Sequence, residues 1–312
     1  MFHINLKAIE PSHFPDGTQM MLDFKVYTSQ LRQQGVCTEI YWNYENDEEC
    51  MQLFYIVKHI KENDPEAQII LTMPYVPNAR MDRTKNVKEV FTLKYFCQFI
   101  NSLDFRRVRV LDPHSDVCVA LLDRVEVMRD TLDMYLDYAI RKASEDCEDE
   151  DFIVYFPDAG AMKRYGGLRP FKRIDMVYGQ KVRNWETGKI EGLEVMDKDG
   201  HALTSKILVD AETAGLDGKD YITSSEVKPL TGKTVLMIDD IISYGGTMYF
   251  SAKKLKELGA EHVFAYATHT ENSVLDRENG TFIKCLEDGT VDMLYTTNSI
   301  YTGEHPKIYT LG

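Results

Sequence analysis

The chain has 312 residues and carries 36 Lys plus Arg against 50 Asp plus Glu, a formal net charge of −14. Such an acidic chain is not built to neutralise a phosphate backbone, which excludes nucleic acid as a partner, and its length is enough for two domains of ~100–200 residues. The six cysteines are scattered, with no C-x-x-C pair and no histidine at ligand spacing, so they read as reduced thiols of a cytoplasmic protein. The N-terminus, MFHINLKAIEPSHFPDG, has no basic segment ahead of an apolar core, and no apolar run reaches the ~18 residues of a membrane span, so no membrane partner is expected.

In chain order, short apolar runs alternate with segments of helical period. Met51, Phe54, Val57 and Ile60 predict a first helix face, and QIILTM (68–73) follows as a strand. Phe96, Phe99, Ile100 and Leu103 share the next helical face, ahead of a strand at RVRVL (107–111). SEDCEDED (144–151) is a charge run without an apolar face and marks a boundary between domains 1–146 and 147–312. FIVYF (152–156), TVLMI (234–238) and HVFAYA (262–267) are further strands, and Ala252, Leu255 and Leu258 predict a helix that stops at Gly259. This βα alternation predicts an α/β fold of two layered domains, each with a mainly parallel sheet flanked by helices. Residues 184–232 break the rhythm. GKIEGLEVMDKDGHALTSKI carries a D-G turn between alternating stretches, a β-hairpin signal, and the polar DAETAGLDGKDYITSS follows it.

The stretch with the clearest chemistry is VLMIDDIISYGGT (235–247). Ligands of open α/β sheets bind beyond the carboxyl ends of the strands, where Asp239 and Asp240 would be displayed. Two carboxylates can accept hydrogen bonds from two sugar hydroxyls. Gly245 and Gly246 can bring bare backbone N–H groups to a phosphate at the start of a helix beginning near Thr247. One end suits a ribose and the other its phosphate. These residues resemble the ribose-5-phosphate motif shared by type I phosphoribosyltransferases and the ribose-phosphate diphosphokinases, also called phosphoribosyl pyrophosphate synthetases.

Five further segments resemble the diphosphokinases. FPDGT (14–18) is similar to their F-x-D-G-E loop, PYVPNARMDR (74–83) to P-Y-x-x-x-A-R-Q-D-R, LDPHS (111–115) to D-L-H-S, FPDAGAMKRY (156–165) to P-D-x-G-x-x-K-R, and QKVR (180–183) to the K-x-R catalytic segment. The resemblance implies a phosphoribosyltransferase-type fold in both domains. It also implies a Mg²⁺-dependent transfer of the pyrophosphoryl group of ATP to the anomeric hydroxyl of a ribose 5-phosphate unit, with release of AMP. Lys181 and Arg183 would be catalytic. Phe14, Asp16, Arg80, Asp82, Arg83 and His114 would bind ATP, with Phe14 completing the adenine pocket of a neighbouring subunit in a homo-oligomer, a dimer or a hexamer. His114 and Asp158 would stand beside the metal, and Asp239, Asp240, Ser243, Tyr244, Gly245, Gly246 and Thr247 would bind the ribose phosphate.

The chain departs from the family pattern at informative places. Thr18 stands where F-x-D-G-E has glutamate, and Met81 where A-R-Q-D-R has glutamine, which alters the groups available to read adenine. The segment between Lys181 and Asp240 is longer than usual, which makes 184–232 a candidate lid. Tyr244 occupies the position of a small hydroxyl residue in D-T-G-G-T or S-T-G-G-T, so the phosphate end is rebuilt. Two acceptors fit: ribose 5-phosphate, giving phosphoribosyl pyrophosphate, and ADP-ribose, whose 5-phosphate carries AMP and whose 1-pyrophosphate is one step from NAD. Phage-encoded variants of the fold are associated with NAD rebuilding. A phosphoribosyltransferase, which needs no ATP-binding half, and a non-catalytic regulatory subunit of a synthetase are the competing classes.

Overall fold

The computed structural model describes residues 1–21, 35–147, 152–183, 190–204, 206–209 and 224–311. They divide into two compact units, Met1–Leu132 and Asp133–Gly312. The division falls inside a helix ahead of the 144–151 charge run, of which residues 148–151 lie outside the described residues.

The first unit is a six-stranded sheet ordered β2-β1-β5-β6-β7-β8. Its strands are β1 (Phe2–Ile4), β2 (Lys7–Ile9), β5 (Thr38–Trp42), β6 (Ile69–Met73), β7 (Arg107–Val110) and β8 (Val125–Val127). The small hairpin of β3 (Ser12–His13) and β4 (Gln19–Met20) stands apart from that sheet. β5 to β8 run parallel, and β1 and β2 add an antiparallel margin. Helices α1 (Glu48–Asn63), α2 (Thr92–Ser102) and α3 (Asp116–Leu121) connect the parallel strands. The burial of α1 is rotated from the face expected. Leu53, Ile56, Val57 and Ile60 are buried, whereas Met51 is 45% exposed. A strict three-residue spacing drifts off one face of a helix with 3.6 residues per turn, and the i, i+3, i+4, i+7 set is the one that stays on it.

Helix α4 (Arg129–Cys147) leads into the second unit, a seven-stranded sheet ordered β11-β10-β9-β14-β15-β16-β17. Its strands are β9 (Phe152–Phe156), β10 (Asp175–Arg183), β11 (Ile190–Asp197), β14 (Thr234–Ile242), β15 (His262–Thr270), β16 (Met293–Thr297) and β17 (Ile308–Leu311). Only β10 with β11 is antiparallel. Leu236, Met237, Ile238, Phe264, Ala265 and Tyr266 are all buried, as expected of strands covered on both faces. Helices α5 (Ala159–Tyr165), α6 (Gly246–Glu257) and α7 (Phe282–Asp288) flank this sheet. Gly259 takes a φ of +100° just after α6, the left-handed stop its sequence position predicts. The D-G signal is a tight turn at the end of β11, where Asp197 N–H donates to His201 O at 2.8 Å and Gly200 takes a φ of +85°. Two short strands, β12 (Lys206–Val209) and β13 (Ser224–Val227), pair antiparallel. The polar residues 210–223 of the expected lid, and residues 184–189, lie outside the described residues. No helix among the described residues is long and apolar enough to cross a membrane.

Candidate active site

In the second unit the chemistry collects at the carboxyl edge of the parallel strands. β9 ends at Phe156, and Asp158 caps α5 by accepting the Ala161 N–H at 2.9 Å. Next to β9, β14 continues past TVLMI through Asp239, which pairs in register with Ala267, and Asp240. Asp240 is buried and Asp239 is partly so. The Asp240 N–H donates to Asp239 Oδ1 at 3.0 Å. Burial, and then the neighbouring Asp240 carboxylate, raise the Asp239 carboxyl well above the usual range, and the nearby Arg164 opposes this. Arg164, in the last turn of α5, brings Nη2 to 3.7 Å from Asp240 Oδ2 and stacks over Tyr165. One cation thus offsets two adjacent acids. Beneath them the buried Tyr155 bonds Ser251 at 2.8 Å, and its phenol is pushed up to about 12 by burial.

The segment after β14 is a preformed cradle. Gly245 is the residue before α6 and takes a φ of +76°, the left-handed conformation that glycine adopts without steric cost. Gly246 and Thr247 then open the helix, where backbone N–H groups have no intrahelical partner. The carbonyl of Tyr244 accepts Thr281 N–H at 2.9 Å, Phe282 N–H at 3.1 Å and the Thr281 hydroxyl at 3.1 Å, pinning the loop to the start of α7. Ser243 bonds Ser273 at 3.1 Å, and Ser273 donates to Glu271 at 3.2 Å. The Tyr244 side chain is 46% exposed.

β10 runs parallel to β9 with Tyr178 opposite Phe156, so Lys181 lies three residues beyond the level where β9 ends. At a rise of ~3.3 Å per residue that is ~10 Å past the sheet edge. Lys181 is exposed there, opposite Leu193 of β11, and the pairing shifts between Val182 and Arg183, where the strand closes. A close approach fixes the base of this arm, because a Cβ on Gly179 would sit 2.3 Å from the Tyr155 hydroxyl oxygen.

The residues that the sequence resemblance assigns to ATP belong to the first unit. PYVPNARMDR follows β6 and LDPHS follows β7, the same edge of adjacent parallel strands, and Leu111 N–H donates to Pro74 O at 3.1 Å between them. Asp112 takes a φ of +43° and turns the chain toward His114. Asp82 is buried, and its carboxyl is held below the usual range by the Arg83 hydrogen bond at 2.9 Å, with Ser115 and His114 adding to the effect. Asp82, Arg83 and His114 therefore come together, with Arg80 exposed on the same loop. Phe14 and Asp16 stand on the separate β3–β4 hairpin. Phe14 is 49% exposed, its N–H donates to Thr18 O at 2.8 Å, and Asp16 Oδ1 accepts both the Thr18 N–H at 3.0 Å and its hydroxyl at 2.7 Å. Those bonds hold the Asp16 carboxyl below its usual range. The residue that departs from the family pattern has thus taken one oxygen of the neighbouring acid.

Sequence reasoning missed Arg164 and Thr281. The first had a signal, the K-R pair closing FPDAGAMKRY, since a base in the last turn of a helix capped by Asp158 lies near the strand edge. The second had none, because its partner is 37 residues away in the chain.

The fold is layered α/β, with two mainly parallel sheets flanked by helices. A crystal structure of phosphoribosylpyrophosphate synthetase from Mycobacterium smegmatis matches 97% of this chain and 85% of its own with a TM-score of 0.66 at 19% identity. Curated relatives include ribose-phosphate pyrophosphokinase 2 of Enterococcus faecalis, 27% identical over 261 residues covering 83% of this chain and 67% of that one. Ribose-phosphate pyrophosphokinase of Saccharolobus solfataricus is 24% identical over 268 residues, covering 85% and 77%, and that of Pyrococcus abyssi 26% over 268, covering 86% and 78%. No family model matches the chain. The chain is a distant relative of the ribose-phosphate pyrophosphokinases.

Proposed function

We propose that the protein transfers the pyrophosphoryl group of ATP to the anomeric hydroxyl of a ribose 5-phosphate unit. The carrying observation is the run from the Asp239–Asp240 pair through the left-handed Gly245 into the start of α6, on the edge from which Lys181 projects. Asp239 and Asp240 accept the ribose hydroxyls, Arg164 offsets their charge, and the Ser243–Thr247 loop holds the 5-phosphate. The anomeric oxygen attacks the β-phosphorus, the bond from that phosphorus to the α,β-bridging oxygen breaks, AMP leaves, and the hydroxyl proton passes to solvent. Lys181 and Arg183 stabilise the charge that grows on the transferring group, an effect worth several kcal/mol in a water-poor site. Phe14, Asp16, Arg80, Asp82, Arg83 and His114 form the ATP side, and oligomerisation supplies Phe14 to a neighbouring chain.

Mg²⁺ takes hard oxygen donors and few protein ligands, keeping waters and phosphate oxygens for the rest. Among the described residues no cluster of three or more acidic, histidine or cysteine side chains is arranged to hold a metal ion, and the exposed Asp158 carboxylate has a second oxygen beyond the one that caps α5. That donor set fits a cation carried in with a triphosphate. Asp158 in the second unit and His114 in the first are each candidate ligands for such a cation, which would neutralise phosphate charge.

Two acceptors remain in contention. The half-exposed ring of Tyr244 beside the cradle supports ADP-ribose, whose 5-phosphate bears AMP, and so a role in NAD synthesis. The intact glycine turn and helix start support plain ribose 5-phosphate. The test is incubation with ATP and Mg²⁺ and either acceptor, with products identified by mass. AMP plus a pyrophosphorylated acceptor supports the reading and names the acceptor. No product with either one overturns it in favour of a non-catalytic subunit, and base exchange on phosphoribosyl pyrophosphate without ATP would make the protein a phosphoribosyltransferase.

A further inference from the structure

We propose that Glu48 is a positioning residue for the nucleotide loop, clamping the Phe14–Thr18 turn to the start of α1 through His13 and Gln19. This rests on the ATP-side role proposed above for Phe14. β3 and β4 are two residues each, too short a ladder to hold a hairpin in one orientation. His13 and Gln19 lie directly opposite each other in that ladder and flank the turn, so their side chains leave the same face of the ribbon. Both reach one carboxylate. His13 Nε2 is 2.6 Å from Glu48 Oε1, and Gln19 Nε2 donates to the same oxygen at 3.0 Å and to the Glu48 carbonyl at 3.2 Å. Each strand of the hairpin therefore has its own tie to a single residue. The His13 hydrogen bond pulls the Glu48 carboxyl below its ordinary range, which keeps it ionised as an acceptor.

The anchor is tied on several sides. Glu48 N–H donates to Asn46 Oδ1 at 3.0 Å, and the next residue, Glu49, is buried and accepts Trp42 Nε1–H at 2.9 Å and Glu45 N–H at 2.8 Å. Trp42 closes β5, so α1 starts just past the carboxyl end of that strand, on the edge that carries the 74–83 and 112–115 loops. The clamp holds the exposed Phe14 ring at that edge, whichever chain completes the nucleotide site. Nothing in the ladder alone would do so.

The test uses the full chain and two readouts. Hydrogen exchange at the Phe14 and Gly17 amides, both bonded within the turn, reports the clamp without any ligand. Glu48→Ala should speed it about tenfold, while Glu48→Gln, which keeps an acceptor oxygen for both partners, should stay near wild type. If the hairpin is then seated about a tenth of the time, KM for ATP rises about tenfold, with acceptor KM and kcat at saturating ATP unmoved. His13→Ala and Gln19→Ala should each give part of the effect and add little to Glu48→Ala. Unchanged exchange in a folded Glu48→Ala chain overturns the clamp. Faster exchange with ATP KM unmoved overturns its nucleotide role. A wild-type chain that takes no ATP overturns the proposed function instead, and exchange alone then decides the clamp.

Discussion

Gly245 lets two costs of the proposed phosphate cradle be separated. A Cβ added there would lie 2.2 Å from Phe282 Cβ and 3.0 Å from its Cγ, against an ordinary contact starting near 3.4 Å, so the atoms must part by roughly 1.2 Å. Phe282 is fully buried at the start of α7 and its N–H is bonded to Tyr244 O, so the strain cannot be relieved by rotating a side chain. Gly245→Ala thus adds an overpacking cost of about 1–3 kcal/mol to a left-handed backbone cost of about 1–2 kcal/mol. At roughly 2–4 °C per kcal/mol for a unit of this size, Tm should fall by about 4–20 °C. Gly289, with a φ of +78° and no atom within 4 Å of its Cβ position, is the control. Gly289→Ala bears only the backbone cost and should lower Tm by about 2–8 °C. The assay is calorimetry on both variants together with acceptor KM. Gly245→Ala should raise KM at least tenfold because the loop must move, whereas Gly289→Ala, at the far end of α7, should leave it unchanged. Equal Tm losses, or a Gly245→Ala chain with wild-type acceptor KM, would refute the cradle.

Other expectations follow from the same edge. Burial raises the Asp239 carboxyl, so the folded chain is destabilised once pH climbs above the ordinary carboxylate range. Asp239→Asn should accordingly raise Tm at pH 7 to 8, lose that gain as pH falls to about 3, where the acid is protonated in both folded and unfolded chains, and raise acceptor KM; a lower Tm at pH 8 would contradict this. Lys181→Ala should cut kcat by about 10²–10³ with acceptor KM unchanged, read from steady-state rates, and an equal loss in both would make Lys181 a ground-state ligand. Phe14→Ala should weaken ATP without weakening the acceptor, and specific activity should fall on dilution as the oligomer dissociates; a fully active monomer would be inconsistent with a shared site. Tyr244→Thr should move the ratio of kcat/KM for ADP-ribose over ribose 5-phosphate down by about ten- to a hundredfold, and an unmoved ratio would detach the ring from acceptor choice.

What the sequence reveals follows the range of the forces involved. β6, β9, β14 and β15 are legible because a strand buried on both faces is largely apolar, and β7 because its valines alternate with arginines; both patterns are local. Asp239 and Asp240 are legible for the same reason, since acids ending such a run can only stand at a strand edge. The rotated face of α1 is less so, because its short window fits two stripes until Trp42 and Glu49 fix the helix start. Contacts between distant segments leave no local trace. The Thr281 bond to Tyr244 and the Glu48 tie to both strands of a hairpin 35 and 29 residues away belong to this class. Asp16 shows a third limit. A motif names the acid but not that Thr18, two positions on, occupies one of its oxygens.

The same division bears on why a tyrosine stands in the phosphate loop. The fold holds position 244 by its carbonyl, through Thr281 and Phe282, and the left-handed turn is supplied by Gly245; neither depends on the side chain at 244. A residue whose ring leaves 46% of its surface open adds little apolar burial to the core. Tyr244→Thr should therefore leave Tm nearly unmoved, in contrast to Gly245→Ala one residue later. Under the proposed function, an aromatic ring that the fold does not require, placed beside a cradle whose backbone is already set, would be accounted for by what binds there. A plain phosphate is served by the backbone and a short hydroxyl, while a substituted one offers a second phosphate and a base for a phenol and its ring to meet.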